Sequence, residues 1–549
     1  MRPLSSLFVL LLAVCVGCVE AAPGARPNFL VIVADDLGYS DLGAFGGEIS
    51  TPSLDALASD GLRLSGFHTA ATCSPTRAML LTGTDHHLAG MANMSELITP
   101  SQRGRPGYDG HLADDVVTVA ELLRDAGYRT LMSGKWHLGT RPEDDPSRRG
   151  FERVFSLIEG GHNHFGKPNL PPPELGGAHY TEDGRPASIP ADFYSSDYFT
   201  DKLLQFMTED RGRPFFAYLP FTAPHWPLHA PPEIIARYAG RYDAGWEILL
   251  RERLARQRAL GLLPPGASEE LPPTLRDWES LSPEEQRRQA RKMEIYAAMV
   301  ERMDWNVGRV IESLRASGRL EDTVIVFFSD NGAAPDTVAG LLKKVEGFAP
   351  LEEGAFADWG SAESMLSYGP HWAQAATAPR RLYKSVVSEG GIASPAIVRF
   401  PGFARQNGNL GASFATVMDV APTLLEIAGV APPGTSYRGR AVEPMRGRSM
   451  LPYLQGRAER VHAADEAFGW ELFGQRALRQ GDWKAVWLSL PNGPGRWALF
   501  DLARDPGERH DLAQQEPARL EALVRLWDGY AKDMGVILEE QVVSPHTNL

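Results

Sequence analysis

Cysteine is scarce in this 549-residue chain: there are three, and two of them, Cys15 and Cys18, lie in the apolar N-terminal run. Cys73 therefore has no intramolecular disulfide partner once that run is discounted, which excludes a disulfide-stapled scaffold. Beyond the N-terminus no stretch offers eighteen uncharged apolar residues, so no membrane-spanning helix is expected. Basic charge is also short. Against 69 acidic residues there are 55 basic ones, a formal net charge of −14. That balance argues against a general binder of nucleic acid or anionic membranes, and any anion pocket must be made locally positive. Internal repeats and low-complexity tracts are missing too.

At the N-terminus, Arg2, the apolar stretch from Leu7 to Val16 and then Val19-Glu20-Ala21 have the shape of a secretory signal peptide cleaved after Ala21. Pro23-Gly24 breaks the chain just beyond. Gly17-Cys18 offers an alternative acylation point, although Cys15-Val16 before it fits a lipobox badly. The expected product is exported, periplasmic or secreted. The length implies more than one domain: residues 1–21 as leader, 22–458 as a large domain and 459–549 as a small C-terminal domain.

Strands alternate with helices, which predicts an α/β fold. Asn28–Val33 and Thr323–Phe328 are short, continuously apolar runs, as expected of strands covered on both faces. Tyr128–Met132, Pro214–Phe221 and Ala396–Phe400 are further strand candidates. Helices are expected over Val119–Ala126, over Thr416–Ala428, along the apolar positions from Ile295 to Leu314, and over Pro517–Met534. The charge-dense stretch 250–292 reads as a solvated helical excursion. The runs around Trp483–Trp487 and Trp497–Phe500 suggest a small antiparallel module.

Polar residues recur where these strands end. Asp35-Asp36 follow the first, Lys135 and His137 follow the strand near Met132, His225 follows the Pro214 strand, and Asp330-Asn331 follow the Thr323 strand. Open α/β sheets bind ligands beyond the carboxyl ends of their strands, so four such clusters converge on one pocket. Each alone has a plain alternative: Asp35-Asp36 as a helix cap, Asp330-Asn331-Gly332 as a turn, Lys135 as exposed surface, His225 as a histidine packed between prolines, Lys384 as a solvated lysine. Taken together, Asp35, Asp36, Asp330 and Asn331 form an all-oxygen ligand set suited to Ca²⁺ or Mg²⁺ rather than zinc.

Cys73 is by itself an inert core thiol, a reactive group, or a residue converted to something else. Its surroundings are specific: Cys73-Ser74-Pro75-Thr76-Arg77, continuing to Leu81-Thr82-Gly83, contains the C-x-P-x-R mark read by the enzymes that oxidise a sulfatase cysteine to formylglycine. With Ala34-Asp35-Asp36-Leu37-Gly38, Thr82-Gly83-Thr84-Asp85-His86-His87, Gly134–Gly139, Tyr194–Asp197, Ala223-Pro224-His225-Trp226-Pro227, Ser329–Gly332 and Glu389-Gly390-Gly391, the chain resembles the type I sulfatases, most closely the bacterial arylsulfatases of the Pseudomonas type. Leu499–Leu502 and Asp505–Glu508 look like that family's small C-terminal domain.

The resemblance implies an alkaline-phosphatase-like fold, with a large mixed sheet between helices and a small C-terminal antiparallel sheet plus helix. It implies a sulfuric ester hydrolase acting on aryl or simple alkyl sulfates. Asp35, Asp36, Asp330, Asn331 and residue 73 would hold the metal, Ca²⁺ before Mg²⁺. Arg77, Lys135 and Lys384 would supply positive charge. One hydroxyl of the residue-73 aldehyde hydrate would attack sulfur, helped by Asp330. His225, aided by Lys384, would protonate the leaving oxygen, and His137 would deprotonate the second hydroxyl to release sulfate. A sulfate ester and a formylglycine-generating maturation enzyme are the implied partners. The pocket walls are assigned to Trp226, His371, Trp372 and the 160–169 loop. Three rivals remain. A phosphonate monoester or phosphodiester hydrolase shares the fold and can share the modified residue. A catalytically dead sulfated-glycan binding protein would need no aldehyde. A thiolate hydrolase built on Cys73 would explain neither the carboxylates nor the motif.

Overall fold

The computed structural model describes residues 26–167, 177–267, 271–272, 275–337 and 353–538. The leader with Cys18, and the end of the 160–169 loop, lie outside the described residues. Ten strands form one large sheet. Its five central strands, Thr323–Ser329, Asn28–Ala34, Phe215–Pro220, Arg129–Lys135 and Arg153–Leu157, are all parallel. Ala396–Arg399 on one side and Tyr180–Glu182 on the other run antiparallel to them. All seven residues of Asn28–Ala34 are buried. Alternation sends Leu30 and Ile32 into one core layer and Phe29, Val31 and Val33 into the other. A strand covered on both faces needs apolar residues at every position, and this one has them.

The expected elements are found with small shifts. The Arg129 strand runs three residues past Met132, so Lys135 is its last residue. Gly134 permits this: a Cβ there would lie 2.0 Å from Pro220 O on the neighbouring strand. Val119–Asp125 is capped by the Thr118–Glu121 box. Pro283–Ala316 is a single 34-residue helix opened by Ser282, whose side chain accepts from Glu285 N. Pro517–Met534 is a helix as expected, ended by Gly535 at φ 71°. It packs on a four-stranded antiparallel sheet, Ala467–Leu472, Gln475–Gln480, Trp483–Trp487 and Trp497–Asp501, around Leu478, Leu499, Leu523 and Trp527. No helix among the described residues is long and apolar enough to cross a membrane.

Two expectations are corrected. The charge-dense stretch is not simply solvated, because Arg253, on helix Gly245–Ala259, is fully buried. Its guanidinium bonds Asp41 at 2.6 Å and Glu48 at 2.8 and 2.9 Å. Trp372 is a core residue of the same region, and His371 is half-buried beside it. His371 stacks on Trp246 and Trp372 packs edge-on to it; neither is placed as a pocket wall.

Candidate active site and metal centre

The parallel strands deliver the polar residues to one end of the sheet. Asp330 N bonds Ala34 O, and Asp35 N bonds Ala223 O, tying three strand ends together. Asp36 N reaches Asp330 Oδ1 at 3.2 Å, and Leu37 N reaches Ser329 Oγ at 2.9 Å. Asp36 sits at φ 67° and His137 at φ 58°, left-handed conformations that non-glycine residues hold mainly where surrounding structure enforces them, often at functional sites.

Cys73 opens the helix Cys73–Thr82, every residue of which is buried. Its Sγ lies 3.3 Å from Asp35 Oδ1 and 3.8 Å from Asp36 Oδ1. Arg77, one turn later and so on the same helix face, donates to Asp330 Oδ2 at 3.1 and 2.7 Å and to Lys135 O at 3.2 Å. Lys135 Nζ is 2.8 Å from Asp35 Oδ2, and Lys384 Nζ is 2.9 Å from Asp36. His225 Nε2 stands 3.5 Å from Asp36 Oδ2. Asn331 Nδ2 donates to Asp36 Oδ1 at 2.6 Å. Each carboxylate thus has its own cation: Asp35 with Lys135, Asp36 with Lys384, Asp330 with Arg77.

Burial opposes the charge on Asp35, yet Lys135, His225 and Arg77 hold its carboxyl below the usual range. Burial, reinforced by Asp35, pushes Asp330 up to about 6. Burial opposes the charges of Lys135 and Lys384 as well, and Asp35 and Asp36 respectively keep both ammonium groups above their ordinary values. Burial raises the Cys73 thiol well above its usual value, with Asp330 adding to the effect. Without a bound metal ion a thiolate nucleophile is therefore disfavoured.

The donor set fits a hard divalent cation. Three carboxylates and an amide converge at zero exposure or nearly so, and Asn331 Oδ1 is buried with no hydrogen bond, an acceptor left for a ligand. Asp35, Asp36, Cys73 and His225 also bring ligand atoms close enough together to share an ion. With three carboxylates against three cations the cluster has no excess positive charge of its own, so a divalent ion is what would make it attractive to an anion.

His137 makes its hydrogen bond outside this network, through Nε2 to Glu96 at 3.1 Å. Gly160 and Gly161 connect it to His225. A Cβ on Gly160 would lie 2.5 Å from His137 Cε1, and one on Gly161 would lie 3.7 Å from His225 Cε1. Trp226 stacks on His225 with ring centres 5.1 Å apart and donates its indole N–H to Asp336 at 2.9 Å. Sequence reasoning did not single out Glu96 or Asp336, and it reached Gly160 only as the first residue of a loop assigned to the pocket wall. Glu96 lies in a polar turn, Ser95–Leu97, with no strand end before it to mark it.

The sequence model of one family, described as Sulfatase, matches residues 27–430. An uncharacterized sulfatase of Schizosaccharomyces pombe is 43% identical over 542 residues, 94% of this chain and 96% of that protein. An arylsulfatase of Klebsiella aerogenes is 41% identical over 441 residues, 79% of this chain and 93% of the other. Among solved structures, Ps i-CgsB in complex with a neocarrahexaose superposes with a TM-score of 0.66 at 24% identity, covering 94% and 96% of the two chains. The phosphonate monoester hydrolase of Agrobacterium radiobacter gives 0.56 at 19% identity, covering 93% and 96%. At these identities the two structures share the fold.

Proposed function

The chain belongs to the sulfatase family, and within it we propose a sulfuric ester hydrolase that cleaves aryl or simple alkyl sulfates to an alcohol or phenol and inorganic sulfate. The observation that carries this reading is Cys73 within 3.8 Å of two carboxylates, each matched by a buried lysine. The 41% identity to an arylsulfatase supports the aryl preference.

Residue 73, oxidised to formylglycine by a maturation enzyme and hydrated, supplies an oxygen nucleophile that a thiol cannot. Asp35, Asp36, Asp330 and Asn331, with residue 73, would hold Ca²⁺, whose charge offsets the negative charge that builds on sulfate oxygens. The rest falls to side chains. Arg77, Lys135 and Lys384 bind and orient the sulfate without reorganisation, because ion pairs already fix them. Asp330 would receive the proton that the attacking hydroxyl loses. His225 Nε2, next to Lys384 through Asp36, delivers a proton to the leaving oxygen. Trp226, stacked on that ring, forms the wall beside the leaving group. His137 takes the proton whose loss allows sulfate to depart. The leader 1–21 would direct export to the periplasm or medium, with 22–458 as the catalytic domain and 459–549 as the small one.

The test is a hydrolysis panel on the Ca²⁺-loaded protein: aryl, alkyl, steroid and sugar sulfates beside phosphonate monoesters and phosphodiesters with matched leaving groups. Aryl or alkyl sulfates should turn over fastest, and chelation should remove the activity until Ca²⁺ is returned. Faster phosphonate or phosphodiester cleavage would overturn the reading.

A further inference from the structure

The ring of His137 is held from two sides. Gly160 lies against it, where a Cβ would stand 2.5 Å from Cε1, 2.7 Å from Nε2 and 3.0 Å from Nδ1. No side chain fits there, and the ring is denied that direction of movement. On its edge, Nε2 lies 3.1 and 3.4 Å from the two Glu96 carboxylate oxygens. A carboxylate only accepts hydrogen bonds, so Nε2 carries the hydrogen. Nδ1 then keeps its lone pair, and it is buried with no hydrogen bond at all. An unprotonated, unpartnered imidazole nitrogen on a ring that feels the charges of Lys135 and Arg77 is a base awaiting its proton.

We propose that Glu96 is a positioning residue that fixes His137 as the Nε2–H tautomer and so makes Nδ1 the atom that accepts the proton. The inference rests on the role given to His137 under the proposed function. It follows the logic by which a carboxylate sets the tautomer of a catalytic imidazole and stabilises the imidazolium that forms. The charges facing His137 are Glu96, which favours its protonated form, and Lys135 and Arg77, which oppose it. The Glu96 side chain is exposed at 53% while the His137 ring is buried, so solvent screens the pair from the Glu96 side and it adds little stability. Folding is therefore not where its loss should register.

The experiment compares Glu96→Gln and Glu96→Ala with the unsubstituted full chain in two ways. In protein carrying unconverted Cys73, imidazole NMR reads the tautomer and pKa of His137 without any turnover. The Nε2–H form should dominate in the parent, persist in Glu96→Gln because the amide oxygen can still accept, and lose its dominance in Glu96→Ala. The His137 pKa should fall in both variants, since each removes the negative charge. In converted enzyme, kcat should fall about 10- to 100-fold in Glu96→Ala and less in Glu96→Gln, with KM unchanged. The acidic limb of the kcat profile should move to lower pH as the base becomes weaker. Identical tautomer populations in all three proteins would overturn the proposal. So would a changed tautomer with unchanged kcat. In the latter case, unchanged kcat in His137→Ala as well would locate the failure in the role assigned to His137.

Discussion

Lys484, on the third strand of the small sheet, places its Nζ 2.9 Å from Glu389 Oε1 in the turn that closes the Lys384 loop. Glu389 also receives His68 at 3.0 Å and Arg380 at 2.8 Å, and its backbone N–H donates to Glu508. Burial opposes the Glu389 charge, but Lys484 and His68 hold it well below the usual carboxylate range. The glycines that follow pack backbone to backbone: a Cβ on Gly332 would fall 1.8 Å from Gly390 O, so the turn fixes the Asp330-Asn331 loop. The C-terminal sheet thereby buttresses the site from outside the large sheet.

Lys484→Met leaves two buried carboxylates, Glu389 and Glu508, short of a cation. The expected loss is about 3 kcal/mol of unfolding free energy, with reduced turnover because the Asp330 loop loses its support. A double-mutant cycle with Glu389→Gln, read by denaturant unfolding, should give a coupling energy above about 1 kcal/mol. Strictly additive losses would show that the pair is not linked.

Arg253 acts one layer further back. Its partner Asp41 also accepts from Gly38 N at 2.8 Å and from Tyr296 OH at 2.6 Å, and Gly38 lies two residues beyond Asp36. Arg253→Met should cost about 3 kcal/mol or more and weaken Ca²⁺ binding about 10-fold. Calorimetric titration would check the second effect; wild-type affinity in a destabilised variant would confine Arg253 to folding.

His87 lies between Asp85, at 2.9 Å, and Glu471 of the small sheet, at 3.4 Å. Burial works against its charge, yet those carboxylates raise it from 6.5 to about 9. A group whose folded value is raised contributes stability that is complete below its unfolded value and is lost as pH climbs through the folded one. Unfolding free energy should therefore decline between pH 6.5 and about 9. That decline should be flattened in His87→Gln, measured by denaturant titration at several pH values. An equal decline in the variant would assign the slope to other groups.

Residue 73 should not be a thiol in the active protein. Peptide mass spectrometry should find the 73 position converted and reactive toward hydrazides. Thiol reagents should label nothing once the proposed leader 1–21, which holds Cys15 and Cys18, has been removed. Cys73→Ala should abolish hydrolysis at unchanged melting temperature. Fully active enzyme with an alkylatable Cys73 would refute the mechanism.

Much of the site was legible because each of its elements carries a local signal. Asp35-Asp36 and Asp330-Asn331 follow short, uninterrupted apolar runs rich in β-branched and aromatic residues, the pattern of a doubly covered strand, and the end of such a strand faces the ligand crevice. Cys73 is marked by its own motif. Arg253, by contrast, sits in a stretch dense in both charges, where nothing local distinguishes a buried arginine from its solvated neighbours. The sequence assigns Trp372 and His371 to the pocket wall, because an aromatic pair carries no local sign of what it packs against. Their place was decided by Trp246, more than a hundred residues away.

The order of strands and helices, the polar residue types at the strand ends and the motif around Cys73 were set by the sequence itself, since apolar periodicity, turn chemistry and motif spacing are local properties. Pairing was not. Which cation answers which carboxylate, the approach of Glu96 to His137, the fit of Gly160 against that ring and the bracing of Glu389 by Lys484 all join segments that are far apart in the chain or carry no mark of their own. They depend on side-chain direction and close packing, and only the folded backbone brings those atoms within hydrogen-bond reach.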